Sequence, residues 1–195
     1  MGGEGSIIDR LKQLHIVPLS ISYEYDPCDY LKAREYQLRR DIPYWKKTAE
    51  DDLESMLIGI KGFKGHIFYH CAPCIDDWLD TLDTDLPKNK LFDAIASHID
   101  HEIHSSYKLY PINYVALDMI QDTKVYEEYY TQDDYEKFDS YLAGQIEKID
   151  IENRDEQFLR TCLLTQYAYP AKNYIDASSE SGRLKSLLNR LTFKK

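Results

Sequence analysis

Two cysteines separated by two residues form the sharpest chemical motif in the sequence. Cys71-Ala72-Pro73-Cys74 follows a predicted strand, and a CxxC motif there is typical of dithiol redox centres, in which a depressed thiol pKa creates a nucleophile. The same pair supplies only two zinc ligands, and the sequence contains no second CxxC and no paired His–Cys set. A dithiol oxidoreductase using Cys71 and Cys74 is therefore one hypothesis, and a structural loop is the alternative.

Three histidines, His98, His101 and His104, alternate with acidic residues in the run HIDHEIH. On a helix, six residues of separation place His98 and His104 about 120° apart, so the three rings cannot meet at one ion. The HExxH spacing also fails, because a single residue separates Glu102 from His104. We expect a polar helix face here and predict no metal ligand.

A helix predicted over 132–149 carries a run of carboxylates. Carboxylate pairs catalyse reactions only when a fold brings them together and shifts their pKa values, and charged runs on helices are mostly solvated. The sequence also has no P-loop, no G-x-S-x-G elbow and no dinucleotide fingerprint. The residue pattern therefore predicts no catalytic residue and no cofactor. The carboxylates of this run are Asp133, Asp134, Glu136, Asp139 and Glu147.

Charge and hydropathy exclude several classes of protein. With 34 acidic and 24 basic residues the formal net charge is −10, which argues against binding to nucleic acid. The mean hydropathy is −0.55, and no apolar run approaches the roughly 18 residues that span a bilayer. The N-terminus lacks a secretion signal, and four cysteines without one suggest a reducing compartment. These features predict a cytoplasmic protein.

The pattern of apolar residues predicts an α/β protein that is predominantly helical. Apolar and β-branched runs predict strands at 16–25 and 65–71, the first containing Pro18. Thr48 and Asp51 have the spacing of a capping box that opens a helix over 49–60. Two strands cannot form an independent sheet with two covered faces, so other strands of the fold are missing. Further helices are predicted at 5–14, from the Asp26-Pro27 turn to about Arg40, and at 87–108, 111–122, 132–149, 153–168 and 180–192.

Three segments carry a resemblance to a known family. IVPLSISYEYDPCDYLKARE (16–35), DDLESMLIGIKGFKGHIF (51–68) and DHEIHSSYKLYPINYVALDMI (100–120) resemble glycerolipid acyltransferases. Within that family they more closely resemble the lysophosphatidate (1-acylglycerol-3-phosphate) acyltransferase-like proteins of Bacteroides-type bacteria. The Pro18 strand corresponds to the most C-terminal of that family's four sequence blocks. The resemblance implies that the substrate-binding residues are Pro18, Tyr23, Glu24, Tyr25 and Asp26.

The family's catalytic block is absent from this sequence. In the family, the histidine of H-x-x-x-x-D acts as general base and the aspartate orients it. The E-G-T/R phosphate-binding block is missing as well, and both blocks precede the Pro18-type strand in the family. The residues five positions after the six histidines here are Ser20, Cys71, Ile75, Ile103, Ser106 and Leu109, and none is aspartate.

The simplest explanation is that the chain is the C-terminal part of such an acyltransferase and is inactive alone. Residues 1–195 are expected to form a single domain, with 1–75 a remnant of the acyltransferase α/β core and 76–195 a helical extension. The resemblance implies acyl-CoA or acyl-ACP and a lysophospholipid as substrates of the intact enzyme, and peripheral contact with the inner membrane. A fragment with an uncovered sheet edge is also expected to form a homodimer. The alternative is a non-catalytic binding or scaffold protein with an acyltransferase-like fold.

Overall fold

The computed structural model describes residues 6–179, and helices account for most of them. The predicted helical predominance and the two strands are confirmed. In chain order the elements are α1 (Ile7–Lys12), β1 (Leu19–Tyr23), α2 (Asp29–Asp41), α3 (Ala49–Lys61), β2 (Ile67–Cys71), α4 (Asp76–Leu79), α5 (Lys88–His104), α6 (Pro111–Gln121), a 3-10 turn (Glu127–Tyr129), α7 (Gln132–Glu147) and α8 (Glu156–Ser178).

Three elements differ from the sequence-based expectation. Helix α8 continues through Pro170 to Ser178, whereas the proline was expected to end it. The missing N–H and ring clash cost about 3 kcal/mol or more, but burial of Tyr167, Ala168 and Ala171 along one side of α8 favours continuation. Helix α4 and the 3-10 turn were not predicted. The helix predicted at 180–192 lies outside the described residues.

The chain divides into two compact units, each assembled from segments that are distant in sequence. Of the described residues, the first unit contains 6–22, Phe68–Lys108 and 173–179, and the second contains Tyr23–Ile67 and Leu109–Lys172. The core of the first unit is built by α1, α4 and α5 and the segment before α4, through Ile8, Ile75, Leu79, Leu91 and Ile95.

The second unit packs α2, α6, α7 and α8 around a core that combines apolar and polar side chains. Gln37 is 1% exposed and ties α2 to the segment before α8, because it donates to the Asn153 carbonyl (3.0 Å) and accepts from the Asp155 N–H (3.1 Å). The apolar core residues with no exposed surface include Ala33, Phe138, Leu142, Leu159 and Leu163.

The sheet consists of β1 and β2 and has an inverted pattern of burial. The Ala72 N–H donates to the Pro18 carbonyl (2.9 Å), and in the antiparallel register that this bond defines, Ile21 lies opposite Tyr69. Pro18 therefore lies just before β1, not inside it as the sequence predicted. Ser20 and Ser22 are 2% and 8% exposed, while Ile21 is 42% exposed. The polar side of β1 is buried and its apolar side faces outward.

Helix α3, in the second unit, also has an exposed apolar side. The predicted capping box is present, since Thr48 and Asp51 exchange hydrogen bonds at the helix start. No residue of α3 is buried. Helix α3 contacts Cys28, just before α2, where the thiol donates to the Ser55 carbonyl (3.3 Å). Its apolar stripe is exposed and consists of Leu53, Met56, Leu57 and Ile60.

Candidate functional site

The residues implied by the resemblance fall into both units. Pro18 lies in the first unit, where it is buried and its carbonyl accepts the hydrogen bond from Ala72. Tyr23, Glu24, Tyr25 and Asp26 lie in the second unit, as a continuous run from the end of β1 toward α2. This run, with the groups that hold it, forms the candidate site.

Glu24 is paired with a histidine that the sequence analysis did not select. Its Oε2 accepts the backbone N–H of His66 (2.9 Å) and lies 2.6 Å from the ring Nδ1. The carboxylate side chain is 18% exposed and the imidazole 82%. Because an ionised carboxylate only accepts hydrogen bonds, Nδ1 is assigned the proton, and in the neutral ring Nε2 is left as an acceptor facing solvent. Such a pair can orient an imidazole toward a hydroxyl or phosphate of a ligand.

Gly65 makes this pairing sterically feasible. Its φ is +62°, in the left-handed region, which residues with a Cβ adopt at a cost of about 1–2 kcal/mol. A Cβ at this position would lie 2.4 Å from Glu24 Oε2. Glycine at position 65 therefore lets the carboxylate reach the His66 N–H.

Tyr25 and Asp26 are engaged by groups of the protein itself. The Tyr25 ring lies 4.7 Å from that of Tyr141, centroid to centroid, and burial raises the pKa of Tyr25. Asp26 accepts the Cys28 N–H (2.9 Å) and pairs with Lys32 (2.5 Å). The Tyr23 ring faces the Lys64 ammonium at 5.9 Å. These contacts fix the backbone that presents Glu24.

A buried carboxylate, Asp29, helps to hold the run of residues 23–26 in place. Asp29 has no exposed surface, and its Oδ2 accepts hydrogen bonds from the hydroxyls of Tyr141 (2.7 Å) and Tyr167 (2.6 Å). Burial raises the pKa of Asp29, although its hydrogen bonds act in the opposite direction. The Tyr167 hydroxyl also accepts the Asp26 N–H (3.1 Å). Because no solvent reaches Asp29, this cluster positions the run and does not contact a ligand.

A separate cleft of about 840 Å³ lies in the second unit, and no residue of the predicted site lines it. Its floor includes Asp118, which accepts the Val125 and Tyr126 N–H groups (both 3.0 Å) and the Tyr130 hydroxyl (2.9 Å). Burial and the nearby Asp118 carboxylate raise the pKa of Tyr130 to about 12. The hydrogen bonds that the Asp118 carboxylate accepts therefore hold the loop after α6 in place.

The CxxC motif lies at the end of a strand, with little helix behind it. Cys71 is the last residue of β2, Cys74 lies in the following loop, and both are exposed free thiols. Helix α4, which follows, has four residues, so neither cysteine lies at the N-terminus of a long helix. In the same unit, Cys74 lies beside His15 and Asp76, a set of potential metal ligands.

His98, His101 and His104 lie on α5, and the first and last of them pack against aromatic rings. The His98 ring stacks on Trp78 with centroids 3.9 Å apart. The His104 ring lies 5.5 Å from that of Tyr107.

Within residues 6–179, no helix combines the length and the apolar character that crossing a membrane requires. Comparison of the chain with protein-family models, with curated proteins and with solved structures returned no match. The acyltransferase resemblance therefore stays a prediction.

Proposed function

We propose that this chain is the C-terminal part of an acyltransferase that moves an acyl group from acyl-CoA or acyl-ACP to the hydroxyl of a lysophospholipid-type acceptor. The observation that carries the proposal is the inverted sheet of the first unit. An antiparallel sheet with one solvated face usually exposes polar residues and buries apolar ones. Here Ser20 and Ser22 are buried, while Leu19, Ile21 and Tyr69 are 45%, 42% and 56% exposed.

This inverted burial pattern favours a larger sheet. In it, residues outside this chain would cover the exposed apolar face. Full burial of a side chain such as Ile21 is worth about 1.5–3 kcal/mol relative to full exposure. A two-stranded sheet is at best marginally stable alone, and each of its strands has one unpaired edge. In the proposed enzyme, the part bearing H-x-x-x-x-D precedes the Pro18 strand, so it is well placed in sequence to add strands and cover this face.

The chemistry of the proposed enzyme is divided between the two parts. The histidine of the H-x-x-x-x-D block takes the proton of the acceptor hydroxyl, and the hydroxyl oxygen attacks the thioester carbonyl. The carbon–sulfur bond then breaks, and the thiol of CoA or ACP leaves with that proton. In this chain, His66, held by Glu24, would bind the polar head of the acceptor and would not itself be catalytic.

A non-catalytic binding protein is the second candidate, and the exposed apolar stripe of α3 favours it. Such a protein would use its apolar surfaces to bind a partner and would require no further strands. The dithiol hypothesis has less support, because α4 provides only four helical residues after Cys74. The acyltransferase proposal implies a cytoplasmic protein in peripheral contact with the inner membrane.

The decisive assay compares this chain with the longer polypeptide from the source cell that contains H-x-x-x-x-D. Release of free thiol from acyl-CoA or acyl-ACP would be measured with and without lysophosphatidate, and the acylated lipid identified by mass spectrometry. We expect activity from the longer protein and none from this chain. Replacing the histidine of the block with alanine should abolish activity. A correctly folded longer protein that transfers no acyl group would overturn the proposal.

The role of His66 is tested in the same longer protein. We expect His66→Ala to raise the KM for the acceptor and to change kcat little. The lost interaction would stabilise the bound acceptor and the transition state equally. His101→Ala is the matched control, because His101 lies on α5 in the other unit. An unchanged KM in the His66 variant would remove it from the acceptor site.

A further inference from the structure

Three different metal-binding side chains meet in the first unit, and nothing in the proposed acyl transfer uses them. They are His15, which follows α1, Cys74 in the loop after β2, and Asp76, the first residue of α4. Their ligand atoms all lie within 4.8 Å of one another. His15 Nδ1 is 2.6 Å from Asp76 Oδ2. From this geometry we propose that His15, Cys74 and Asp76 bind a zinc-type divalent cation.

The ligand set fits that class of ion. Imidazole nitrogen, thiolate sulfur and carboxylate oxygen are the three donor types of protein zinc sites, and three protein ligands leave the fourth tetrahedral position for water. Tetrahedral ligands at zinc distances lie about 3.3 Å apart, so His15 would move back by a fraction of an ångström from Asp76. Its side chain is 76% exposed and free to do so.

Two further observations point to a ligand at this position. Asp76 Oδ1 is buried and has no hydrogen-bond partner among residues 6–179, an arrangement that ordinarily destabilises a folded protein. His15 has a φ of +46°, an unusual conformation for a residue with a Cβ, of the kind that clusters at functional sites. A cation bound by Asp76 would give Oδ1 a partner. The need to direct the imidazole toward that cation would account for the φ of His15.

The backbone holds the two ligand-bearing segments side by side. The Ile75 N–H donates to the Ile16 carbonyl (3.0 Å), and the Ala72 N–H donates to the Pro18 carbonyl (2.9 Å). The nearby cation Lys12 is paired with Asp80 at 2.5 Å, which offsets its repulsion of a metal ion.

The test uses the full reduced chain and Co²⁺ as a spectroscopic substitute for zinc. We expect a thiolate-to-cobalt charge-transfer band in the near ultraviolet, which Zn²⁺ removes by displacement. Cys74→Ser should abolish the band. His15→Asn, at an exposed position that tolerates substitution, should weaken binding by more than about tenfold. The matched control is Cys71→Ser, which should keep the band at full intensity.

Two results would overturn the proposal. One is the absence of a thiolate band at saturating Co²⁺ in the folded wild-type chain. The other is a band that depends on Cys71 as strongly as on Cys74, or that His15→Asn leaves unchanged, because the ligands would then be the CxxC pair. Circular dichroism of each variant shows that the comparison is made between folded proteins.

Discussion

Glu24 and His66 are 42 positions apart in the sequence and are joined twice, by the backbone N–H of His66 and by its ring Nδ1, both at Glu24 Oε2. A carboxylate that binds both groups orients the imidazole and sets its tautomer. The close approach of the Glu24 carboxylate to His66 depends on Gly65, where a Cβ would collide with that carboxylate. This local arrangement is the part of the candidate site that can bind a polar ligand.

Replacing Gly65 with alanine should destabilise the protein by more than about 1 kcal/mol, because its left-handed φ and the contact with Glu24 both oppose a Cβ. Gly144→Ala is the matched control. Gly144 lies inside α7 with nothing within 4 Å of its added Cβ, so the substitution should stabilise by about 0.5–1 kcal/mol. Urea unfolding measures both, and equal effects of the two substitutions would contradict the left-handed conformation of Gly65.

Tyr167→Phe should lower the free energy of unfolding by about 1–3 kcal/mol. The change removes a hydrogen bond to buried Asp29 and the acceptor of the Asp26 N–H. Tyr44→Phe, at a side chain that is 97% exposed, should change stability by less than about 0.5 kcal/mol. If both variants unfold at the wild-type urea concentration, the buried cluster does not anchor the run.

The buried Asp29 also predicts a pH dependence of stability. Its pKa in the folded protein is raised above the ordinary value of 3.8, chiefly by burial. The protonated form is therefore favoured by folding, and its contribution is present below about pH 3.8 and is lost as the pH rises through the folded-state pKa. Wild-type stability should thus decline relative to Asp29→Asn as the pH increases from about 3.8.

Urea unfolding of both proteins across this range gives the difference directly. Taking the difference removes the contributions of other carboxyls, such as Asp51, whose pKa is lowered by hydrogen bonds from Thr48. A difference that stays constant with pH, or that moves in favour of the wild type, would contradict a raised pKa for Asp29.

The exposed stripe of α3 predicts that apolar truncation there is nearly neutral. Ile60 is 74% exposed, so Ile60→Ala should cost less than about 0.5 kcal/mol. The matched substitution Leu142→Ala, on α7 at a position with no exposed surface, should cost about 2–5 kcal/mol. Comparable losses from the two would mean that the α3 stripe is covered in solution, for instance by a second copy of the chain.

Local signals in the sequence predicted much of the secondary structure but little of the site. The start of α3 follows from Thr48 and Asp51, which act within one helical turn. Pro170 was misleading, because the packing of distant helices decides whether α8 continues. The pairs Glu24–His66 and His15–Asp76 are separated by 42 and 61 positions. Neither pair follows a spacing rule, so only the folded chain brings these side chains together.

The central claim is that the apolar face of the sheet belongs to a larger acyltransferase, and the size of the native protein tests it most directly. An antibody against this chain would be used on an immunoblot of the source cell, with a strain lacking the gene as control. We predict a band well above the 23.0 kDa mass of this chain, from a polypeptide that includes the H-x-x-x-x-D part. A single band at 23.0 kDa would contradict the claim and favour the binding protein.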